Sequence, residues 1–285
     1  VSKVNYLADE IYDLVFDPGH GGSDPGAVGP TTAEKGNVLV LAKKTAAYLF
    51  ASGRFRVKFT RDTDKDFCNG AHYSENLDLE NRVNVANTLG GEVFVAFHDN
   101  SAAAKAYGNE VYAAASGGDG EKLAKAIRSR MAAQLDMIDR GVKFANWYVC
   151  KWTDMPAVLV EYGFINSEEA TILAKMDQAA LAIAQGIGDH FGVNVTAKGK
   201  GEDIVDNAIL KYSDEDDWSA KDVSAKLGGI AVFTRQGTAR TIPADAMKAK
   251  HLIVIGGATT GHPNETLLSG KTKFDTAAAV GKYLG

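Results

Sequence analysis

IYDLVFDPGHGGSDPGAVG (residues 11–29) is the stretch whose reading decides the fold. Its first seven residues, IYDLVFD, are mostly apolar and read as a strand. The run then breaks into glycines, prolines and aspartates, the composition of a turn. From about Glu34 to Phe50 the period changes. Val38, Leu41, Ala42, Thr45, Tyr48 and Leu49 recur at helical spacing, and Gly53 stops the pattern. A strand, a tight turn and an amphipathic helix, in that order, open an α/β sheet.

The same grammar continues outward. RVKFT (56–60), EVFVAF (92–97), GNEVYAA (108–114) and AVLVEYG (157–163) read as strands. Arg82–Leu89, Glu121–Leu135 and Ser167–Phe191 read as helices, the last with Ser167 as N-cap, and residues 62–78 read as a polar loop. The expected fold is α/β, a mostly parallel twisted sheet with helices on both faces. TAKGKGED (196–203) is small or charged throughout and predicts a linker. It separates a first domain (1–195) from a smaller α/β C-terminal domain (204–285), built on AILKYS, a helix over Trp218–Leu227, IAVFT, HLIVIGG and a final helix near Phe274–Leu284. Ser219 and Asp222 read as a capping pair.

Composition excludes several classes. At 285 residues, 45% hydrophobic and 24% charged, the chain can bury a core without disulfides or disorder. A net charge of −5, with equal numbers of basic and acidic groups in the last 86 residues, argues against a nucleic-acid partner. No apolar run approaches the ~20 residues of a membrane span. Val1–Glu10 lacks the apolar core of a secretory signal, so the expectation is release without one or after its removal. Cys68 and Cys150 stand apart without CxxC spacing and read as buried free thiols, a disulfide being the alternative.

Parallel sheets carry their chemistry past the carboxyl ends of the strands. His20 follows the first strand, His98 follows VFVAF, Glu161 ends AVLV, and the glycine turn can fold Glu34 back beside His20. Two imidazoles and a carboxylate with an open fourth position form a hydrolytic zinc site in type, and a further carboxylate can move protons. Each residue also has a structural reading. Glu34 completes a Thr31-x-x-Glu34 capping box, and His98 fits a hydrogen-bonded strand histidine. Glu161 is the hardest to place in a core, because a buried carboxylate without a partner is costly. The pair His72-x-x-Glu75 lies in the polar loop, and His190, His251 and His262 occupy element flanks or a turn.

Taken together, FDPGHGGSDPGAVG (16–29), Glu34-Lys35, FTRDTD (59–64), Arg82 with Val85-Ala86-Asn87, FHDNSA (97–102) and VLVEYGFINSEEA (158–170) resemble the zinc-dependent N-acetylmuramoyl-L-alanine amidases of the amidase 3 family, in order and spacing over residues 11–192. The resemblance implies Zn2+ as cofactor, His20, Glu34 and His98 as its ligands, and Glu161 as the catalytic carboxylate. It implies as substrate the amide between N-acetylmuramic acid and the L-alanine of bacterial peptidoglycan. A lytic role in the cell wall follows, as a phage endolysin or an autolysin. Arg82 is expected to dock its helix and Asn100 to face the rim. The loop 66–78 is longer than the family's usual connection, whether as a groove wall or a plain insertion. HLIVIGGAT (251–259) and SGKTKFDTAAAVGKYL (269–284) resemble one clostridial type 2 cell-wall-binding repeat, which implies a wall polymer as ligand and burial of its sheet by copies from other chains. Two readings stay open beside the amidase: an inactive wall-binding protein, and a zinc peptidase acting on the stem peptide.

Overall fold

The computed structural model describes residues 11–68, 72–197, 207–226, 231–235, 241–243 and 246–285. The N-terminal segment Val1–Glu10 and the expected linker beyond Ala197 lie outside them. The chain divides into two compact units, Val1–Gly199 and Lys200–Gly285.

In the first unit the apolar runs become strands β1 (Tyr12–Pro18), β2 (Phe55–Phe59), β3 (Val93–Asn100), β4 (Asn109–Ala113), β5 (Asp139–Phe144) and β6 (Ala157–Phe164), in the order β2-β1-β3-β6-β4-β5. Helices α1 (Glu34–Ala51), α2 (Glu75–Leu89), α3 (Asp119–Gln134), α4 (Tyr148–Trp152) and α5 (Ile165–Phe191) complete it. Every pairing is parallel except β4 with β6. Alternation along the strands sorts side chains to two faces. Leu14, Phe16, Val95, Phe97, Val158 and Val160 pack into one core with Leu41, Ile127 and Ile183 of α1, α3 and α5. Val15, Phe94, Ala96 and Leu159 form the other core, with Val83 of α2 and Val149 of α4. Burial on both faces is why the middle of β1 (LVF) and the first halves of β3 (VFVAF) and β6 (AVLV) read as apolar runs.

Several local expectations are corrected. Helix α2 begins at Glu75, not Arg82, because its first turns bury charge instead of apolar surface: Asp78 and Arg82 are both buried. Helix α5 begins at Ile165 with Phe164 at its cap, and the Ser167 hydroxyl is buried without a partner among the described residues. Strand β5 and helix α4 have no counterpart in the sequence reading. Asn37, Thr45 and the cysteines pack as ordinary interior groups, and Cys68 and Cys150 are both buried and free.

The second unit is a four-stranded parallel sheet of β7 (Asn207–Lys211), β8 (Ala231–Thr234), β9 (His251–Ile255) and β10 (Glu265–Leu268), ordered β10-β9-β7-β8. Helices α6 (Asp217–Lys226) and α7 (Lys273–Leu284) cover one face, through Ala220, Val223 and Val280 on Ile209, Ile253 and Ile255. Leu210, Leu252 and Val254 pack with Ala246 on the other. Ser219 is the third residue of α6 and does not cap it; the helix that is capped by a reciprocal pair is α7, through Thr272 and Asp275. Strand β10, with only four residues, escapes the sequence reading.

Candidate metal centre and its cleft

Because β1, β3 and β6 are neighbours, their carboxyl ends bring His20, His98 and Glu161 to one rim. His98 and Glu161 are register partners, so their side chains leave the same face of the sheet. The turn after β1 holds His20 at φ 60°, a left-handed backbone that a non-glycine residue adopts only when its surroundings enforce it. The enforcement is visible in buried cations. Arg82 donates to Asp17, Asp78 and the carbonyl oxygens of Pro18 and His20, all within 2.9–3.0 Å. Arg61 donates to the carbonyl oxygens of Pro18, Gly19 and Lys35 at 2.7–2.8 Å. Arg82 therefore docks α2, as expected, and also fixes the histidine turn.

Two glycines let the ring groups approach. A Cβ on Gly19 would lie 2.2 Å from the His98 ring. One on Gly26, itself at φ +64°, would lie 2.6 Å from both the Glu34 carboxylate and the His20 ring.

Glu34 does not close a capping box. Ala33 stands at the helix cap, and the Thr31 and Thr32 hydroxyls and amides donate to Glu169 of α5 instead. Freed from capping, the buried Glu34 carboxylate accepts from the Ala27 amide at 2.8 Å and the Asp99 amide at 3.0 Å. Its Oε1 lies 3.0 Å from His20 Nε2 and 2.9 Å from His98 Nδ1. One donor atom from each of His20, Glu34 and His98 falls within 4.8 Å of the others. Tetrahedral zinc with bonds of 2.0–2.1 Å sets its donors ~3.3 Å apart, so this donor set fits such an ion.

His20 Nδ1 donates to Asp24 Oδ2 at 2.7 Å, and Asp24 Oδ1 accepts from the Gly26 amide at 3.0 Å. That bond puts the ring proton on Nδ1 and turns Nε2 toward Glu34, the usual service of a carboxylate behind a metal-binding histidine. Sequence reading missed Asp24; the only signal was its place four residues after His20 inside the turn. It also missed Tyr73, whose hydroxyl donates to Asp24 Oδ2 at 2.9 Å. Tyr73 comes from the long 66–78 loop, and Asp66 of that loop accepts from the Ser23 amide at 3.0 Å. The described part of the loop thus braces the histidine turn and supplies a wall of the cleft; residues 69–71 fall outside the described set.

Burial opposes charge on the His20 imidazole, but the hydrogen bonds and charges of Glu34 and Asp24 prevail and lift it to about 9. Burial would raise Glu34, yet the two histidines hold it well below the carboxylate range. Glu161 has no such help. Burial, reinforced by the nearby Glu34, Asp99 and Glu110 carboxylates, pushes it well above its ordinary value. Its Oε2 is fully buried without a hydrogen-bond partner among the described residues. His20, Asp24, Tyr73, His98, Trp147, Tyr148 and Glu161 line a cleft of ≈ 250 Å³. Asn100 follows His98 by two residues at the end of β3, where its amide donates to Glu110 at 3.0 Å.

The family model described as N-acetylmuramoyl-L-alanine amidase matches residues 14–189. N-acetylmuramoyl-L-alanine amidase LytC of Bacillus subtilis is 36% identical over 188 residues, 62% of this chain but only 35% of that protein. The B. subtilis protein YqiI is 36% identical over 184 residues, 62% of this chain and 84% of YqiI. Among solved structures, the catalytic domain of the amidase CwlV from Bacillus (Paenibacillus) polymyxa var. colistinus superposes with a TM-score of 0.57 at 32% identity, over 65% of this chain and 100% of that domain. An amidase from Clostridium difficile 630 gives 0.57 at 31%, over 64% and 98%. Fold, element order and the matched span agree: this chain belongs to the N-acetylmuramoyl-L-alanine amidase family.

Proposed function

We propose that the chain is a zinc-dependent peptidoglycan amidase that hydrolyses the amide between the lactyl group of N-acetylmuramic acid and L-alanine in the bacterial cell wall. The observation that carries the reading is the convergence of His20, Glu34 and His98 beside Glu161, whose Oε2 is buried without a hydrogen-bond partner among the described residues. His20 Nε2, His98 Nδ1 and a Glu34 oxygen would hold the metal. Bound there, zinc supplies a Lewis acid that polarises the scissile carbonyl and eases loss of a proton from water.

The protein's own groups do the rest. Glu161 is a much stronger base than an exposed carboxylate, because burial and its acidic neighbours disfavour its charge. It takes a proton from the attacking water and returns it to the alanine nitrogen as that amine leaves. Asp24 holds His20 in one tautomer. Trp147 and Tyr148, each partly exposed on the cleft wall, exclude water from one side of the bound chain.

The C-terminal unit reads as the wall anchor, gathered into oligomers by its sheet, and the whole as a lytic enzyme of endolysin or autolysin type. Light scattering at micromolar concentration tests the oligomer, which a monomer would remove.

Digestion of purified peptidoglycan with and without a chelator, followed by mass analysis, tests the activity. A new alanine amino terminus, abolished by the chelator, is the expected product. New termini inside the stem would make the chain a peptidase, and no release would make it a binder. Glu161→Gln should keep zinc and lose turnover by about 10²–10⁴-fold. His98→Ala should lose both metal and turnover, since two remaining ligands hold zinc poorly; one zinc per chain in that variant would refute the ligand set.

A further inference from the structure

The row of side chains that begins at the candidate centre does not end at Glu161. Glu110 on β4 is the register partner of Glu161 on β6, as His98 is on β3, so all three leave the same face of the sheet. Glu110 is 2% exposed, and its environment is lopsided. Its Oε1 accepts from Asn100 at 3.0 Å and from the Tyr112 hydroxyl at 2.8 Å. Its Oε2 accepts from Arg140 Nε at 2.6 Å and also from Lys143 Nζ, both on β5. One buried carboxylate has gathered two cations where one would balance it, so this cluster alone carries one surplus positive charge.

The geometry of Arg140 gives that surplus a direction. Its Nε is pinned by Glu110, and its guanidinium carbon lies 4.9 Å from the centre of the Phe164 ring. Among the described residues its two terminal nitrogens carry no hydrogen bond, and the side chain is 34% exposed. A planar fork that is immobilised at its base and open at its tips is preorganised for a carboxylate. Tyr112 links the pair to the cleft, with its ring edge-on to Trp147 at 5.7 Å, and Trp147 lines the cleft wall.

We propose that Arg140, supported by Lys143, forms an anion subsite that receives a carboxylate of the stem peptide on the alanine side of the scissile bond, and so makes the enzyme selective for an acidic stem. The inference rests on the amidase reading above. Strands lie 4.7–4.9 Å apart, so β5 stands roughly 10 Å from Glu161 on β6. An extended peptide advances ~3.3–3.6 Å per residue, which brings an acidic group on the second stem residue within reach of a side chain as long as arginine.

The test compares two soluble fragments, N-acetylmuramoyl-L-alanyl-D-glutamate and the same fragment with both glutamate carboxylates converted to carboxamides. Wild-type protein should favour the acid about tenfold in kcat/KM, through KM. Arg140→Gln keeps Lys143 on Glu110 and should melt close to wild type. It should lower kcat/KM for the acid about tenfold through KM, and affect the carboxamide, which has no charge to lose, far less. Arg140→Lys should restore part of the preference, because charge returns without the fork. Equal turnover of the two fragments by wild type, or an equal loss on both in Arg140→Gln, overturns the subsite. Binding of both fragments to Glu161→Gln separates this from the reaction itself. Acid preference in binding without any turnover by wild type would speak against the amidase alone, and equal binding would sink the subsite alone.

Discussion

At the scale of single residues, the centre depends on groups that never touch the candidate ion. Asp24 is the clearest. With its carboxylate on His20 Nδ1, the imidazole has one tautomer and one orientation; without it the ring can rotate and protonate on either nitrogen. Asp24→Asn should therefore weaken zinc about 10–100-fold while the zinc-free protein melts normally, as measured by competition with a chromogenic chelator. An unchanged affinity would reduce Asp24 to a turn former. His20, His98 and Glu161 were legible in the sequence as candidates because each follows closely on an apolar run, where a polar group has little structural work to do. Asp24 and Tyr73 were not, because their bonds to the centre come from a left-handed turn and a long irregular loop, neither of which leaves a periodic trace. Glu34 shows the opposite error: Thr31-x-x-Glu34 has the right letters for a capping box, but Glu169, far along the chain, takes the threonines. Cys150 is legible from either side. Burial, with a smaller contribution from the Asp17 charge, pushes its thiol up to about 12. A raised thiol pKa suppresses the thiolate, so alkylation of Cys150 in the folded protein should stay slow throughout pH 7 to 9, its rate rising about tenfold per pH unit with no plateau. An exposed thiol titrating near 8.5 would react far faster and level off toward pH 9. Mass spectrometry of labelled native and denatured protein measures the difference.

At the scale of elements, α2 explains both a misreading and a dependence. Its first turns looked like loop because Asp78 and Arg82 are charged, yet they are buried against Asp17 at the end of β1. A helix that docks by a salt bridge shows no apolar stripe at that end, and periodicity has nothing to detect. The same packing makes Arg82 costly to remove. Arg82→Met would leave Asp17 and Asp78 buried without their cation and free the carbonyl oxygens of Pro18 and His20. The expected loss is about 3–5 kcal/mol, seen as a lower midpoint in urea, with zinc affinity falling alongside because the histidine turn loses its brace. A loss below 1 kcal/mol would mean the ion pairs relax into solvent. Strand β5 went unread for a related reason: DRGVKF is half charged because Arg140 and Lys143 serve the buried Glu110 from the edge of the sheet. Helix α4, at five residues, is shorter than the period needs to declare itself.

At the scale of the whole molecule, each unit carries a core of its own, complete on both faces of the sheet in the first and partial on one face in the second. In the first, three helices cover one side of six strands and two cover the other, so among the described residues both faces of that sheet are packed. In the second, α6 and α7 cover one side, and the turn residues Ala246 and Ala249 cover part of the other. Units built this way fold by their own burial, and the larger buries proportionally more of its surface than one of 86 residues. Heating should therefore give two calorimetric transitions, with the lower one belonging to the C-terminal unit. Zinc should raise only the upper transition, because His20, Glu34 and His98 all lie in the first unit and a ligand stabilises only the unit whose native state binds it. The magnitude follows from mass action: free zinc at 100 times its dissociation constant adds about 2.7 kcal/mol to that unit alone. A chain ending at residue 197 should reproduce the upper transition and its response to zinc. If both transitions moved together with metal, or if the shortened chain failed to melt cooperatively, the two cores would be one folding unit and the assignment of the wall anchor to a separable module would fall.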